Sequence, residues 1–495
     1  MSRVRTILLL CVYCVAGLLA TLAFYWDEVW HTDRGRDSFW IPPHQMLYGS
    51  VQAILIVVAV WGLMLSYHGV PFRTWVRYWP LSLALIGAAV TLFDAPIDGV
   101  WHNTFGRDAV FWSPPHVLAV AGLTTAAAGM LLLASGVGGR AGTLLTVLTA
   151  ALVMAAQVVL VMEYESDVPQ FATVWYLPVV AITASFTLAI AGAVSPLRWL
   201  GTLVSLTYTG LMTAVVVFLG ALGHSTPLIP VIASAGFVYD LTGQRGLALP
   251  VRAALFMTTI YFTYALYLNT VLGGVRIKPL DIAYGLPLSI LLAWGVLAML
   301  RPRRSMPRVS PATLALLLTM LVALLPLAAS AHDPGQGPKV GEAVLTATRD
   351  GRVVNVLARI TTPTDCAAFS ARGLVARRAR QDVRAELRPA GACRFEGTLE
   401  LPERGRWFVY VELTGRPGPV EVWLPVTEAS GQHTYTKTSW IYIPPKRTAN
   451  AVALGSGVII YAISVGLFGL CVVAFRRTRA QRVAGHDLPV APRRA

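Results

Sequence analysis

Charged residues are scarce in this chain. Only 13% of its 495 residues are charged and 55% are hydrophobic, whereas water-soluble domains typically carry about 25% charged residues. The shortage of charge excludes a plain water-soluble enzyme, and the high hydrophobic content excludes a disordered chain. Together with a mean hydropathy of +0.61, this composition predicts an integral membrane protein with many spans.

Cysteines and clustered basic charge are also lacking. The five cysteines are too few for a disulfide scaffold. The net charge of +15 is spread over short loops between apolar runs, so the expected partner is the lipid bilayer and not nucleic acid. Cys366 and Cys393 are the only cysteines outside apolar segments, and an oxidising compartment would allow a disulfide between them.

Long apolar stretches predict an all-α bundle of about twelve transmembrane helices, because a span needs about 17–25 mainly apolar residues. The predicted spans are residues 6–26, 44–66, 79–98, 114–137, 143–162, 172–195, 198–223, 226–241, 251–273, 282–300, 309–330 and 448–475. The stretch at 226–241 is the shortest and contains proline.

Basic residues fall in alternate connections between these spans. The basic connections contain Arg3 and Arg5, Arg73 and Arg77, Arg140, Arg198, Arg245 and Arg252, Arg301 to Arg308, and Arg476 to Arg482. Loops rich in Lys and Arg remain in the cytoplasm, which predicts a multi-pass cell-membrane protein with both termini cytoplasmic. The opposite, extracytoplasmic connections include an acidic cluster of Glu163, Glu165 and Asp167, interpreted as a solvated loop.

The segment 331–447 lacks long apolar runs. Its short alternating runs predict an extracytoplasmic β-sandwich of about seven strands, with a hairpin turn at Asp350-Gly351. The predicted organisation is therefore a transmembrane helical domain at 1–330, a β-sandwich domain at 331–447, a C-terminal transmembrane helix at 448–475 and a cytoplasmic tail at 476–495.

One motif occurs twice in the amino-terminal part. The residue types Asp, Trp, His, Gly, Arg, Asp, Trp, Pro, Pro and His recur in the same order at 27–44 and at 98–116, with one insertion in the second copy. Ten ordered identities among such rare residues indicate a duplication. Each copy connects two consecutive spans, so the sequence predicts two similar helical hairpins, at 26–44 and 98–116.

The spacing within each copy predicts a cluster of one carboxylate and two imidazoles. Asp27 and His31 are four residues apart and share one helix face, and His44 follows Pro-Pro in the first turn of the returning helix. The second copy repeats this arrangement with Asp98, His102 and His116. Two His and one Asp form a three-ligand metal set with open coordination positions, which suits copper, zinc or iron. The alternative is a hydrogen-bonded network that only caps the helices.

At these residues the chain resembles the C subunit of the particulate methane and ammonia monooxygenases. The match covers about residues 20–120: Asp-x3-His-x12-His in the first copy is similar to that family's copper motif, and the second copy is similar to its other triad, whose first ligand is an Asn. The resemblance implies copper as the cofactor, with metal ligands Asp27, His31, His44, Asp98, His102 and His116. It also implies partner subunits and an external electron donor.

Three functions are compatible with these residues. The first is a copper-dependent membrane monooxygenase, or its metal-bearing subunit, in which Asp98, His102 and His116 are catalytic and activate O2 to oxidise a small apolar substrate or ammonia. The second is copper transport or copper loading, and the third is a purely structural partner. The aromatic residues around both copies would form walls of the sites, and they are Tyr25, Trp26, Trp30, Trp40, Trp101 and Trp112. The roles of His224, His332 and His433 stay open.

Overall fold

The structure is a computed structural model. It describes residues 2–34, 40–76, 78–105, 112–167, 172–269, 277–300, 338–363, 366–378, 381–403, 405–427, 431–444 and 451–483, without the side chains of 75, 76, 102–105, 366, 482 and 483. The predicted span at 309–330 and His332 lie outside the described residues.

The described part of the amino-terminal domain is helical. Its helices are α1 (Arg3–Asp33), α2 (Pro42–Tyr67), α3 (Phe72–Val76), α4 (Trp79–Phe105), α5 (Pro114–Ser135), α6 (Gly139–Val158), α7 (Met162–Glu165), α8 (Tyr176–Val194), α9 (Leu200–Ala221), α10 (Ala233–Gln244), α11 (Leu249–Tyr267) and α12 (Pro279–Met299). A further helix, α13 (Ala451–Val483), follows the β domain. Two of them, α2 and α5, begin with the Pro-Pro pair of the duplicated motif.

Ten helical segments among the described residues are long and apolar enough to cross a membrane, which indicates a multi-pass membrane protein. The predicted span at 226–241 is wrong. There the chain first runs without helix through Pro227 and Pro230, and α10 has only 12 residues. Proline disfavours helix in the residue before it and removes an N–H donor, which explains the late start of α10.

Helices α4 and α5, which carry the second motif copy, pack with their backbones in close contact. A Cβ added at Gly129 would lie 2.5 Å from the Pro80 carbonyl oxygen, and one at Gly87 would clash with backbone atoms of α5. The Thr91 hydroxyl also donates to the Ala119 carbonyl across this interface. Small residues allow such close approach in membranes, so α4 and α5 form the tightest pair in the described bundle.

The central position of α5 explains how the last helix is attached. Nearly every residue of α5 between Leu118 and Ala134 is buried, since α4, α6 and α13 all pack against it. At the end of α5 that carries the second motif copy, the Tyr461 hydroxyl of α13 donates to the Trp112 carbonyl. Helix α13 therefore returns from the β domain to support the second hairpin.

The described residues of the carboxyl-terminal domain form one antiparallel sheet of nine strands in the order β4-β3-β7-β8-β9-β1-β2-β6-β5. The strands are β1 (Lys339–Asp350), β2 (Val353–Thr362), β3 (Ser370–Arg378), β4 (Gln381–Ala385), β5 (Arg388–Pro389), β6 (Arg394–Glu400), β7 (Trp407–Gly415), β8 (Gly418–Val426) and β9 (His433–Tyr442). Buried and exposed residues alternate along β1 and β2, so one face of the sheet forms the core.

The prediction of a β-sandwich of about seven strands is wrong in both architecture and number. The sheet curls on itself like a half-barrel, because β3 and β4 approach β6 from the opposite end of the sheet. At this approach a Cβ on Gly397 would lie 2.7 Å from the Glu386 carbonyl oxygen. The turn prediction is confirmed: Asp350 pairs with Val353, and Gly351 has φ +56°.

The β domain rests on the end of the bundle that carries the duplicated motif, which we call the motif end. Arg378 donates to the Asp167 carboxylate at 2.9 Å, and Lys278 Nζ lies 3.6 Å from Glu403 Oε1. Cys393 is disulfide-bonded, while Cys11, Cys14 and Cys471 are free. The side chain of Cys366, its predicted partner, lies outside the described residues.

The close contact of α4 and α5 predicts the effect of enlarging Gly87. Gly87→Leu should lower the free energy of unfolding by about 1–3 kcal/mol, as overpacked cores do. Gly49→Leu is the matched control, since nothing lies within 4 Å of a Cβ at Gly49. Denaturation of both variants in detergent micelles, followed by circular dichroism, measures the difference, and equal stabilities would contradict the packing.

Candidate metal centre

The first hairpin brings its three predicted ligands together. Asp27 and His31 lie in the last two turns of α1, and His44 lies in the first turn of α2. Asp27 Oδ1 is 3.0 Å from His44 Nε2 and 3.4 Å from His31 Nε2. One ligand atom from each of the three residues can be chosen so that all three lie within 4.8 Å of one another.

These distances suit a first-row metal ion. Ligand atoms placed tetrahedrally at about 2.0–2.1 Å from an ion lie about 3.3–3.4 Å apart, close to the two spacings around Asp27. His44 is almost buried, with 6% of its side chain exposed, whereas about a fifth of the His31 and Asp27 side chains is exposed. The arrangement could therefore hold an ion by three ligands and leave a coordination position facing outward.

The second hairpin repeats the carboxylate–imidazole pair. Asp98 Oδ1 lies 3.1 Å from His116 Nε2, and both side chains are mostly buried. The side chain of His102 lies outside the described residues, so the second cluster is defined here by two of its three predicted ligands. One turn deeper in α4, Asp94 is 3% exposed, and its Oδ1 has no hydrogen-bond partner among the described residues. Sequence reasoning missed Asp94, although it stands four residues before Asp98.

Glu28 interacts with residues of both hairpins, and sequence reasoning missed it as well. Its carboxyl accepts a hydrogen bond from Thr32 and interacts electrostatically with Asp27, His116 and Arg406. Glu28 is therefore within electrostatic reach of residues of both hairpins. The second copy has Gly99 at the equivalent position, so the repeat itself gave no signal for this carboxylate.

The predicted aromatic wall is only partly assembled. Trp30 stands one turn above Trp26, with ring centroids 6.3 Å apart, and contacts the His224 ring. Trp40 is 69% exposed, and the Trp112 indole N–H donates to the Leu160 carbonyl of the bundle. Tyr25 is fully buried on another face of α1. Of these aromatic residues, Tyr25 and Trp112 are therefore hydrogen-bonded to other parts of the bundle.

Two of the three residues of the acidic cluster, Glu163 and Glu165, are buried, so the interpretation as a solvated loop was wrong for them. Glu163 and Glu165 are 2% and 1% exposed. The Tyr25 hydroxyl donates to Glu165 Oε2 at 2.7 Å, and Tyr208 and Tyr264 also interact with this carboxyl. These tyrosines lie on three different helices, and a periodicity-based prediction has no means of bringing them together.

Two further histidines of the described residues, His224 and His433, do not join the clusters. His224 follows α9, and its Nδ1 lies 3.4 Å from Asp33 Oδ2. His433 is exposed on β9, where its ring contacts Tyr435. Comparison of the chain with protein-family models, with curated proteins and with solved structures gave no match.

The geometry of the first cluster predicts that a metal ion stabilises the fold. In a His116→Ala background, Zn2+ at about 100 times its dissociation constant should raise the free energy of unfolding by about 2.7 kcal/mol. Asp27→Ala in the same background should lose this gain, because it removes the central ligand.

The measurement is chemical denaturation with and without Zn2+. His433→Ala serves as the control, since this exposed imidazole belongs to neither cluster. An Asp27→Ala protein with the full Zn2+ response would show that the ion binds elsewhere.

Proposed function

We propose that this protein binds copper in the membrane and is a monooxygenase, or the metal-bearing subunit of one, that activates O2 and oxidises a small apolar substrate or ammonia. The observation that carries the proposal is the convergence of Asp27, His31 and His44 at the motif end. The same residue pattern gives the chain its resemblance to the copper monooxygenase C subunit.

The choice of copper combines donor chemistry with that resemblance. Two imidazoles and one carboxylate accommodate copper, zinc or iron, so the donor set alone leaves three metals. The residues present fit copper, because the imidazoles lie close enough to share one ion. The same argument extends to Asp98 and His116, with His102 as the expected third ligand.

The protein's own residues would orient and shield the ion. Bound copper supplies the redox chemistry, whereas Asp27 balances its charge in a region where an isolated charge is costly. The buried ring of His44 and the partly exposed ring of His31 would hold the ion beside Asp27. Electrons would come from an external donor, and further subunits could complete the substrate pocket.

Copper transport or loading is the second candidate. The observation that favours copper transport is the position of the β domain at the motif end, where this domain could receive or deliver metal. A transporter needs ligands along the depth of the bilayer, however, and both clusters stand at one end of the bundle. We therefore place oxidation chemistry first.

Copper stoichiometry and activity test the proposal together. Purified protein should carry up to two copper ions per chain. His44→Ala and His116→Ala should each remove one of them, as measured by elemental analysis and by the nitrogen couplings in the Cu2+ EPR spectrum. Oxidation of a small alkane or ammonia, with a reductant and O2 supplied, should fall to background in His116→Ala.

The matched control is His433→Ala, which should keep both ions and the activity. Oxidation that persists in a copper-free His44→Ala/His116→Ala protein would refute the monooxygenase. Copper uptake into vesicles that depends on both histidines, with no oxidation detected, would favour transport.

We also propose that the clusters and the β domain face the extracytoplasmic side. In a background without free cysteines, a membrane-impermeant maleimide should label Ser370→Cys in intact cells and should label Gln481→Cys only after lysis. Both positions are exposed, on β3 and at the end of α13. Labelling of Gln481→Cys alone in intact cells would reverse the orientation.

A further inference from the structure

The last turn of α1 is held from outside its own hairpin. Asp33 ends α1 two residues after His31 and accepts the Ser225 backbone N–H at 2.9 Å. The Ser225 hydroxyl donates to the same carboxylate, and His224 Nδ1 lies beside it. The connection after α9 is therefore hydrogen-bonded to the helix end that carries two of the three proposed metal ligands.

The β domain extends this contact through one arginine. Arg406, 9% exposed, donates from Nη2 to Ser225 Oγ at 2.7 Å, and its Nη1 lies 3.9 Å from Asp33 Oδ1. Its backbone N–H donates to Asp167 Oδ2 at 2.7 Å. Arg378, 6% exposed, donates to Asp167 Oδ1 and to the Arg406 carbonyl. We call Asp33, Ser225, Arg406, Asp167 and Arg378 the latch.

The latch joins three separate parts of the chain. Asp33 belongs to α1, Ser225 and Asp167 belong to the motif end of the bundle, and both arginines belong to the β domain. Charge-assisted hydrogen bonds with little exposure are the strong kind, and loss of one partner leaves the other unpaired where water is limited. Glu28, which stands beside the ligand Asp27, also interacts with Arg406.

We propose that Arg406 is a positioning residue for the first metal cluster, and that docking of the β domain and metal binding strengthen each other through the last turn of α1. This inference rests on the proposed metal site. The physical reason is preorganisation: Asp27 and His31 bind an ion well only if the end of α1 is fixed relative to His44 on α2. Coupling between two sites is reciprocal, so a bound ion must also stabilise the docked β domain.

Copper affinity tests the first direction of this coupling. The full chain in lipid nanodiscs, with His116→Ala so that only the first cluster is measured, is titrated with Cu2+ against a chromophoric chelator. Arg406→Gln and Asp33→Asn should each weaken copper binding by about 10–100-fold, the effect that residues supporting metal ligands commonly have. The double variant should be weakened about as much as either single variant, because both changes open the same latch.

The matched control is Arg388→Gln. Arg388 is an arginine of the same domain, and its hydrogen bond lowers the pKa of Glu386, but both side chains are 70% exposed. This variant should bind copper like the parent protein. Unchanged amide exchange along the β1–β9 ladder shows that Arg406→Gln has not unfolded the β domain.

Amide hydrogen exchange tests the reverse direction. Copper should slow exchange of the Ser225 and Arg406 amides, which donate to latch carboxylates, in the parent protein but not in His44→Ala. Equal copper affinities of the parent and Arg406→Gln, or exchange that copper leaves unchanged, would overturn the coupling while leaving the metal site intact. A parent protein that binds no copper would overturn both the proposed function and the coupling.

Discussion

A single carboxylate oxygen, Asp27 Oδ1, lies between two imidazole nitrogens at 3.0 and 3.4 Å at the end of a membrane-spanning helix. Ionisable groups in such a position are costly unless they are paired, so this contact determines how the surrounding helices must be arranged. The start of α2 has to bring His44 to the end of α1, and the Pro-Pro pair at its first turn makes that start well defined. The rest of the motif end supports this geometry.

The support comes from different parts of the two hairpins. The second hairpin is fixed internally, by backbone contact between α4 and α5 and by α13 at Trp112. The first hairpin has no comparable contact at Gly49, and its end is fixed by Ser225 and by Arg406 of the β domain. The two copies of the motif are therefore supported by different contacts.

The repeat predicted most of the candidate site, because its ligands are related by local spacing. Four residues along one helix and a proline-marked helix start place Asp27, His31 and His44 without long-range information. The same reasoning could not find Glu28 or Arg406, whose partners are distant in sequence. In the β domain, β7 and β8 follow apolar runs of the kind that predicted a β domain, whereas β3 carries arginines and serine among its apolar residues. These arginines are explained only by their partners, such as Asp167 below the sheet and Tyr410 on its outer face.

The intimate packing of α4 on α5 has a consequence for motion. The backbones of α4 and α5 touch at Gly87 and Gly129 and cannot slide past one another without steric collision. The two helices must therefore move as one rigid unit that carries Asp98 and His116.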